Sequence, residues 1–260
     1  VQRLTGRAAL GIVPRYQTNS SLATLRQPQS LPSESYRALR TNLQFALAGH
    51  DVKTLLVTSP RPGDGKSTTL ANLAVVLAQG GQNIIVVDAD LRKPAQHRLF
   101  PGLANRSGLT SLLLAGEEID VEPYLRPTPV ANLRVLTSGP LPPNPPDLLS
   151  SPRFAEVLQQ LRERADLVLL DTPPLTLSDP LVVASRVDAV LLVTLAGRTR
   201  SAELVRAVEA LAPTPARLLG VVVNAVQLEQ EGYYYYYYEY APPPNDDGTT
   251  RQPRGLKALL

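Results

Sequence analysis

The stretch from Thr54 to Leu77 constrains the fold more than any other part of the chain. Thr54-Leu55-Leu56-Val57-Thr58-Ser59 is short, apolar and rich in β-branched residues, the pattern of a buried strand. Pro60-Arg61-Pro62-Gly63-Asp64-Gly65-Lys66-Ser67-Thr68-Thr69 follows directly. Leu70, Leu73, Ala74 and Leu77 then recur at helical spacing until Gly80-Gly81 ends the pattern. A strand, a glycine loop, Lys-Ser and a helix in that order make a phosphate-binding P-loop. Gly63 and Gly65 free the backbone to turn its N–H groups inward, and the helix adds its positive end. The candidate nucleotide contacts are therefore Gly63, Asp64, Gly65, Lys66, Ser67 and Thr68. Lys66 would reach the β- and γ-phosphates of ATP, and Ser67 would offer its hydroxyl to Mg²⁺. The plain alternative, a glycine-rich turn without phosphate, does not account for the Gly-Lys-Ser ending between such flanks. The loop departs from the simple pattern in lacking its first glycine.

Two more apolar runs end in acids. Asn83-Ile84-Ile85-Val86-Val87 leads into Asp88-Ala89-Asp90, and Leu167-Val168-Leu169-Leu170 into Asp171-Thr172-Pro173-Pro174. In parallel α/β sheets ligands bind beyond the carboxyl ends of strands. Lys66, Asp88, Asp90 and Asp171 are therefore the candidate catalytic residues, and Ser67, Asp88 and Asp171 the candidate metal ligands. Asp88 or Asp90 would orient or deprotonate an incoming hydroxyl. Taken alone, each Asp reads first as a strand end or helix cap; beside a P-loop the site reading prevails for Asp88 and Asp171. Arg92 and Lys93 fit surface charges, a nucleotide contact or a cross-subunit contact. Strand–helix alternation continues through 188–194, 201–211 and 217–224. The expected fold is thus α/β, a mostly parallel sheet covered by helices on both faces around a P-loop, and the motif set resembles the P-loop NTPase (MinD/ParA-like) architecture.

The expected organisation is an N-terminal linker at 1–33, a P-loop domain at 34–228 and a flexible tail at 229–260. Tyr233, Tyr234, Tyr235, Tyr236, Tyr237, Tyr238 and Tyr240 hold most of the chain's ten tyrosines. A buried face cannot accept consecutive side chains, so this run reads as a row of phosphate acceptors on a solvated tail. Cysteine is absent, which removes disulfide and thiolate-metal chemistry. His50 and His97 lack metal-ligand spacing. The net charge of +3 is spread along the chain, so no nucleic-acid partner is expected, while an anionic membrane surface is compatible. No apolar run is long enough to span a bilayer, and the chain, without methionine, reads as a fragment.

Three motifs and the tail together resemble the bacterial tyrosine kinases, P-loop autokinases of exopolysaccharide and capsule assembly. They are Ser59 to Ser67, Val86 to Pro94 and Leu169 to Pro174, in the family's order of Walker A, A′ and B. Leu133 to Pro140 with Pro142-Pro143-Asn144-Pro145 is similar to the family's Gly-x-x-Pro-Pro-Asn-Pro loop. Glu34, Arg37 and Arg40 match its E-x-x-R-x-x-R oligomerisation motif, and lie along one side of a helix. Leu219 to Asn224 resembles its last strand, whose Asn contacts adenine. The resemblance implies ATP and Mg²⁺ as cofactors and a homo-oligomeric ring in which one subunit's tail enters its neighbour's site. It also implies a phosphotyrosine phosphatase as antagonist. Thr5 to Arg15 resembles the segment that follows the second transmembrane helix in fused members. A membrane-spanning activator fused upstream is then expected, with the chain at the cytoplasmic face of the bacterial inner membrane.

Two other functions compete. A MinD/ParA-like ATPase switch carries a signature lysine five positions before the P-loop lysine, where Arg61 stands here. An export scaffold that binds ATP without transferring phosphate leaves the full set of Lys66, Ser67, Asp88 and Asp171 unexplained.

Overall fold

The apolar runs become strands of one sheet because each alternates between two buried faces. The computed structural model describes residues 1–7, 9–16, 22–116 and 118–227. Its strands are β1 (Ala9–Pro14), β2 (Thr54–Thr58), β3 (Ile84–Asp88), β4 (Leu125–Pro127), β5 (Leu133–Leu136), β6 (Leu167–Asp171), β7 (Ala189–Leu195) and β8 (Arg217–Val226). The first helices are α1 (Gln2–Thr5), α2 (Ala23–Arg26), α3 (Leu31–Leu47), α4 (Lys66–Gln79) and α5 (Gln96–Leu99). The rest are α6 (Leu109–Leu114), α7 (Pro145–Ser150), α8 (Pro152–Arg164), α9 (Asp179–Ala184) and α10 (Ser201–Leu211).

The spatial order is β1-β8-β7-β2-β6-β3-β5-β4, parallel throughout except for the short edge strand β4. Leu56, Ile85, Val87, Val168, Leu170 and Val190 point to the face covered by α6, α8, α9 and α10. Their neighbours Leu55, Val57, Ile84, Val86, Leu169 and Leu191 point to the face covered by α3 and α4. This period of two with both faces covered is the signature of a buried parallel sheet, and the α/β expectation holds.

The N-terminal region departs from the expected linker. β1 pairs in parallel with β8, and Val13 and Leu22 are buried against the α3/α4 side of the sheet. Thr24 donates from its amide and its hydroxyl to Asn72 Oδ1, at 3.1 and 2.9 Å. α3 begins at Leu31, and residues Val1–Gln227 form one unit with no break at residue 33. The apolar islands here are too short for a periodicity to show. They are ordered because the long strand β8 needs a partner on its outer edge. β4 and β5 also escaped the sequence reading, being only three and four residues long. The tail at 229–260 lies outside the described residues.

At the amino ends of the strands, Asp188 accepts from the amides of Lys53 and Thr54, the Thr54 hydroxyl and Arg162 Nη2, at 2.7–3.0 Å. This ties β2, the turn before β7 and α8 together. Burial alone raises the Asp188 carboxyl, but hydrogen bonds from Thr54 and Arg162 outweigh it and hold it below the usual carboxylate range. The stability it contributes is present above the unfolded value and is lost as pH falls through the lowered folded value. Asp188→Asn should cost about 1.5–3 kcal/mol near neutral pH in urea unfolding, the range for hydrogen bonds to a charged group. The gap to the parent should narrow toward about pH 3, below the usual Asp value of about 3.9.

Candidate functional site

β2 is flanked by β6 and β7, and β6 lies between β2 and β3. The chain runs from β2 outward to β3 and later returns to fill the gap, so the crevice opens where the connections diverge. Asp171 is level with Val57 of β2 on one side and with Asp88 of β3 on the other. Lys66 and Ser67, Asp88 and Asp90, and Asp171 are thereby brought to one place.

Gly63 and Gly65 have φ of +85° and +91°, in the left-handed region that favours glycine. A Cβ on Gly65 would lie 2.0 Å from Asn224 Nδ2. The Thr69 amide donates to Gly65 O at 2.9 Å, which leaves the amides of Lys66, Ser67 and Thr68 ahead of the first helical bond. Asp64 turns its carboxylate away from the loop's mouth, accepting from the Arg61 amide and the Thr199 hydroxyl, both at 3.0 Å. Burial raises this carboxyl, and those two bonds oppose the rise. The Asp64 side chain therefore braces the loop. Asn224 Nδ2 donates to Asp64 O at 3.0 Å, so in this structure Asn224 also holds the loop. Arg61 faces Glu203 of α10 at 3.6 Å.

Lys66 Nζ lies 3.1 Å from Asp90 Oδ2, 3.2 Å from Asp171 Oδ1 and 2.9 Å from Ser67 Oγ. Burial works to lower the ammonium's pKa, but Asp171 and Asp90 overcome it and the net direction is upward. Asp88 is fully buried. Its Oδ2 accepts from the amides of Ala95 and Gln96, at 3.0 and 2.9 Å, and its Oδ1 has no partner. Burial and then the neighbouring Asp171 push Asp88 up to about 8. Added positive charge beside it would bring it down. Asp90 Oδ1 accepts from the amides of Arg92 and Lys93.

Two residues of the site were missed from sequence. Gln96 is buried and donates from Nε2 to Asp171 Oδ2 at 2.8 Å and to Ser67 O at 3.3 Å. A glutamine has no signature of its own, although its place just past Pro94, at the start of α5, was readable. Asp179, buried at the start of α9, takes both Arg92 Nε and Nη2, at 2.9 and 3.2 Å. Arg92 is thereby fixed to α9. On α3, Arg37 pairs with Glu34, while Arg40 Nη1 donates to Val76 O near the end of α4 at 2.9 Å. The family resemblance assigns both arginines to an oligomer interface. Within one chain, each already has an acceptor. Tyr233 to Tyr238 and Tyr240 lie outside the described residues.

Gly65→Ala adds a strained φ and a clash. Nucleotide affinity should fall at least about tenfold by calorimetry, with the fold intact by circular dichroism. Gly65→Ala with Asn224→Ala removes the clash alone and should recover only part of the loss.

Residues 51–234 match the ParA family model, described as NUBPL iron-transfer P-loop NTPase. The chain is 42% identical over 217 residues to the tyrosine-protein kinase YwqD of Bacillus subtilis, covering 83% of this chain and 90% of that protein. Among solved structures, the chimerical protein CapA2B2 is 38% identical, with a TM-score of 0.81 over 87% of this chain and 98% of that one. The kinase domain of the Escherichia coli tyrosine kinase ETK is 30% identical, with a TM-score of 0.78 over 85% and 91%. With a ParA-type sheet, a P-loop and acids at the two strand ends beside it, the chain belongs to the bacterial tyrosine kinases.

Proposed function

We propose that this kinase transfers the γ-phosphoryl group of Mg-ATP to the tyrosines of its own tail, one subunit acting on its neighbour in a ring. The observation that carries this reading is the meeting of Lys66, Ser67, Asp90 and Asp171 around one point, with the unpartnered buried Asp88 Oδ1 beside it. A row of phenols in the same chain supplies the acceptors. In the transfer, a tyrosine Oη bonds to the γ-phosphorus and the bond to the β,γ-bridging oxygen breaks, leaving ADP. The phenolic proton passes to the carboxylate of Asp90 or Asp88. Lys66 and the amides of residues 63–68 neutralise charge on the phosphates.

The donor set fits magnesium. Ser67 Oγ, Asp171 and Asp88 are all-oxygen ligands, and the orphan Asp88 Oδ1 is the kind of atom a hard cation satisfies. Among the described residues no cluster of three or more acids or histidines makes a cage. That suits a metal which keeps waters and phosphate oxygens in its shell. When bound, Mg²⁺ neutralises charge between the β- and γ-phosphates.

The wider role is the control of capsule or exopolysaccharide assembly, with a phosphotyrosine phosphatase as antagonist. Among the described residues no helix is long and apolar enough to cross a membrane. Membrane attachment at the inner face would come from an activator, fused upstream or separate. The Thr5 to Arg15 resemblance supports the fused form.

Intact masses over time with Mg-ATP should show serial additions of one phosphate, mapping to Tyr233–Tyr240 and absent in Lys66→Met. Loss of ATP without a mass change would refute tail phosphorylation. For the ring, Glu34→Ala with Arg37→Ala should lower the sedimentation coefficient with Tm nearly unchanged, since an exposed pair contributes at most about 1 kcal/mol. Arg40→Ala should lower Tm as well, because it also removes the bond to α4.

A further inference from the structure

Beside the catalytic crevice lies an open cleft of about 500 Å³ between the segment after β3 and the loop after β5. Its lining includes Arg92, Lys93 and Arg98 and no carboxylate. Arg92 is already bound to Asp179. Lys93 and Arg98 are exposed, and among the described residues neither has an ion-pair partner. The far wall is built. Asn105 donates to Gly139 O at 3.0 Å and accepts from its amide at 2.9 Å, which fixes the loop that presents Leu141, 60% exposed. The cleft and the crevice share a wall. The Lys93 amide donates to Asp90 Oδ1, while Asp90 Oδ2 holds Lys66.

We propose that this cleft docks the acidic flank of a second copy's tyrosine tail, and so selects acidic tyrosine peptides as phosphoryl acceptors. The proposal rests on the tail-phosphorylation reading above. Glu229, Glu231 and Glu239 bracket the tyrosine run, which matches the two unpaired cations in sign. Leu141 offers a phenol ring an apolar surface next to those cations. The reach of the chain favours a second copy. From β8 to β5 there are five strand intervals, roughly 24 Å at the usual spacing. Glu229 and Glu231 are two and four residues beyond Gln227, at most about 7 and 14 Å of extended chain. A subunit's own Glu229 and Glu231 therefore fall short of its own cleft, whereas Glu239, twelve residues beyond Gln227, has about 40 Å of reach.

The test uses the full-length chain with two synthetic acceptors, the peptide 229–241 and its counterpart with Gln at 229, 231 and 239. In Lys93→Glu with Arg98→Glu, KM for the acidic peptide should rise about tenfold, the scale of two surface attractions turned to repulsions. KM for ATP should stay as in the parent. The parent should prefer the acidic peptide, and the double variant should lose that preference. Lys93→Ala with Arg98→Ala should fall between, and the parent's preference should fade as salt rises. Unchanged peptide preference in the double variant overturns the proposal. So does a rise in KM for ATP alone, which places these cations on the nucleotide. Fluorescence anisotropy of the labelled peptides reads docking without transfer. Discriminating binding with no phosphate transferred would overturn the acceptor reading and leave the docking surface standing, whereas equal binding of both peptides overturns the surface itself.

Discussion

Two carboxylates that end adjacent parallel strands impose the central electrostatic constraint on this protein. β6 is inserted between β2 and β3, so Asp171 stands level with Asp88 and both are fully buried. Like charges so placed, with little water between them, cannot both ionise without compensation. The structure supplies Lys66 to Asp171, the Gln96 amide group to the same acid, and two backbone amides to Asp88. Even so, Asp88 is pushed up to about 8. The site is short of positive charge, the condition that favours a bound cation.

The rest of the P-loop is arranged to keep that geometry rigid. Asp64, Asn224 and Thr199 hold the loop from the side of β7 and β8, while Gln96 and Asp88 hold the segment after β3. All of these contacts lie within the chain itself. Preorganised donors of this kind avoid reorganisation at the moment of reaction, and phosphoryl transfer depends mostly on positioning and charge.

Arg40 serves stability within the chain, and in the proposed ring it would serve association as well. Its Nη1 caps a carbonyl at the end of α4, while it shares a helix face with Glu34 and Arg37. An interface built on such a residue is coupled to the helix that begins with Lys66. In the proposed ring, oligomerisation and the P-loop would then be connected through α4.

The P-loop, the strand-ending acids and the α/β class were legible because each is a local pattern. Period-two burial, a glycine turn and a following helix lie within a few residues of one another. The strand order, the level placement of Asp88 against Asp171 and the capture of Arg92 by Asp179 were not, since they join residues 83 and 87 positions apart. β1 was hidden for the same reason, because its place is decided by the free edge of β8 and not by its own six residues. The sequence by itself determined which chemical groups the chain carries and which backbone elements present them. Only the tertiary structure decided which of those groups meet, because strand order follows from how the helices bury both faces of the sheet.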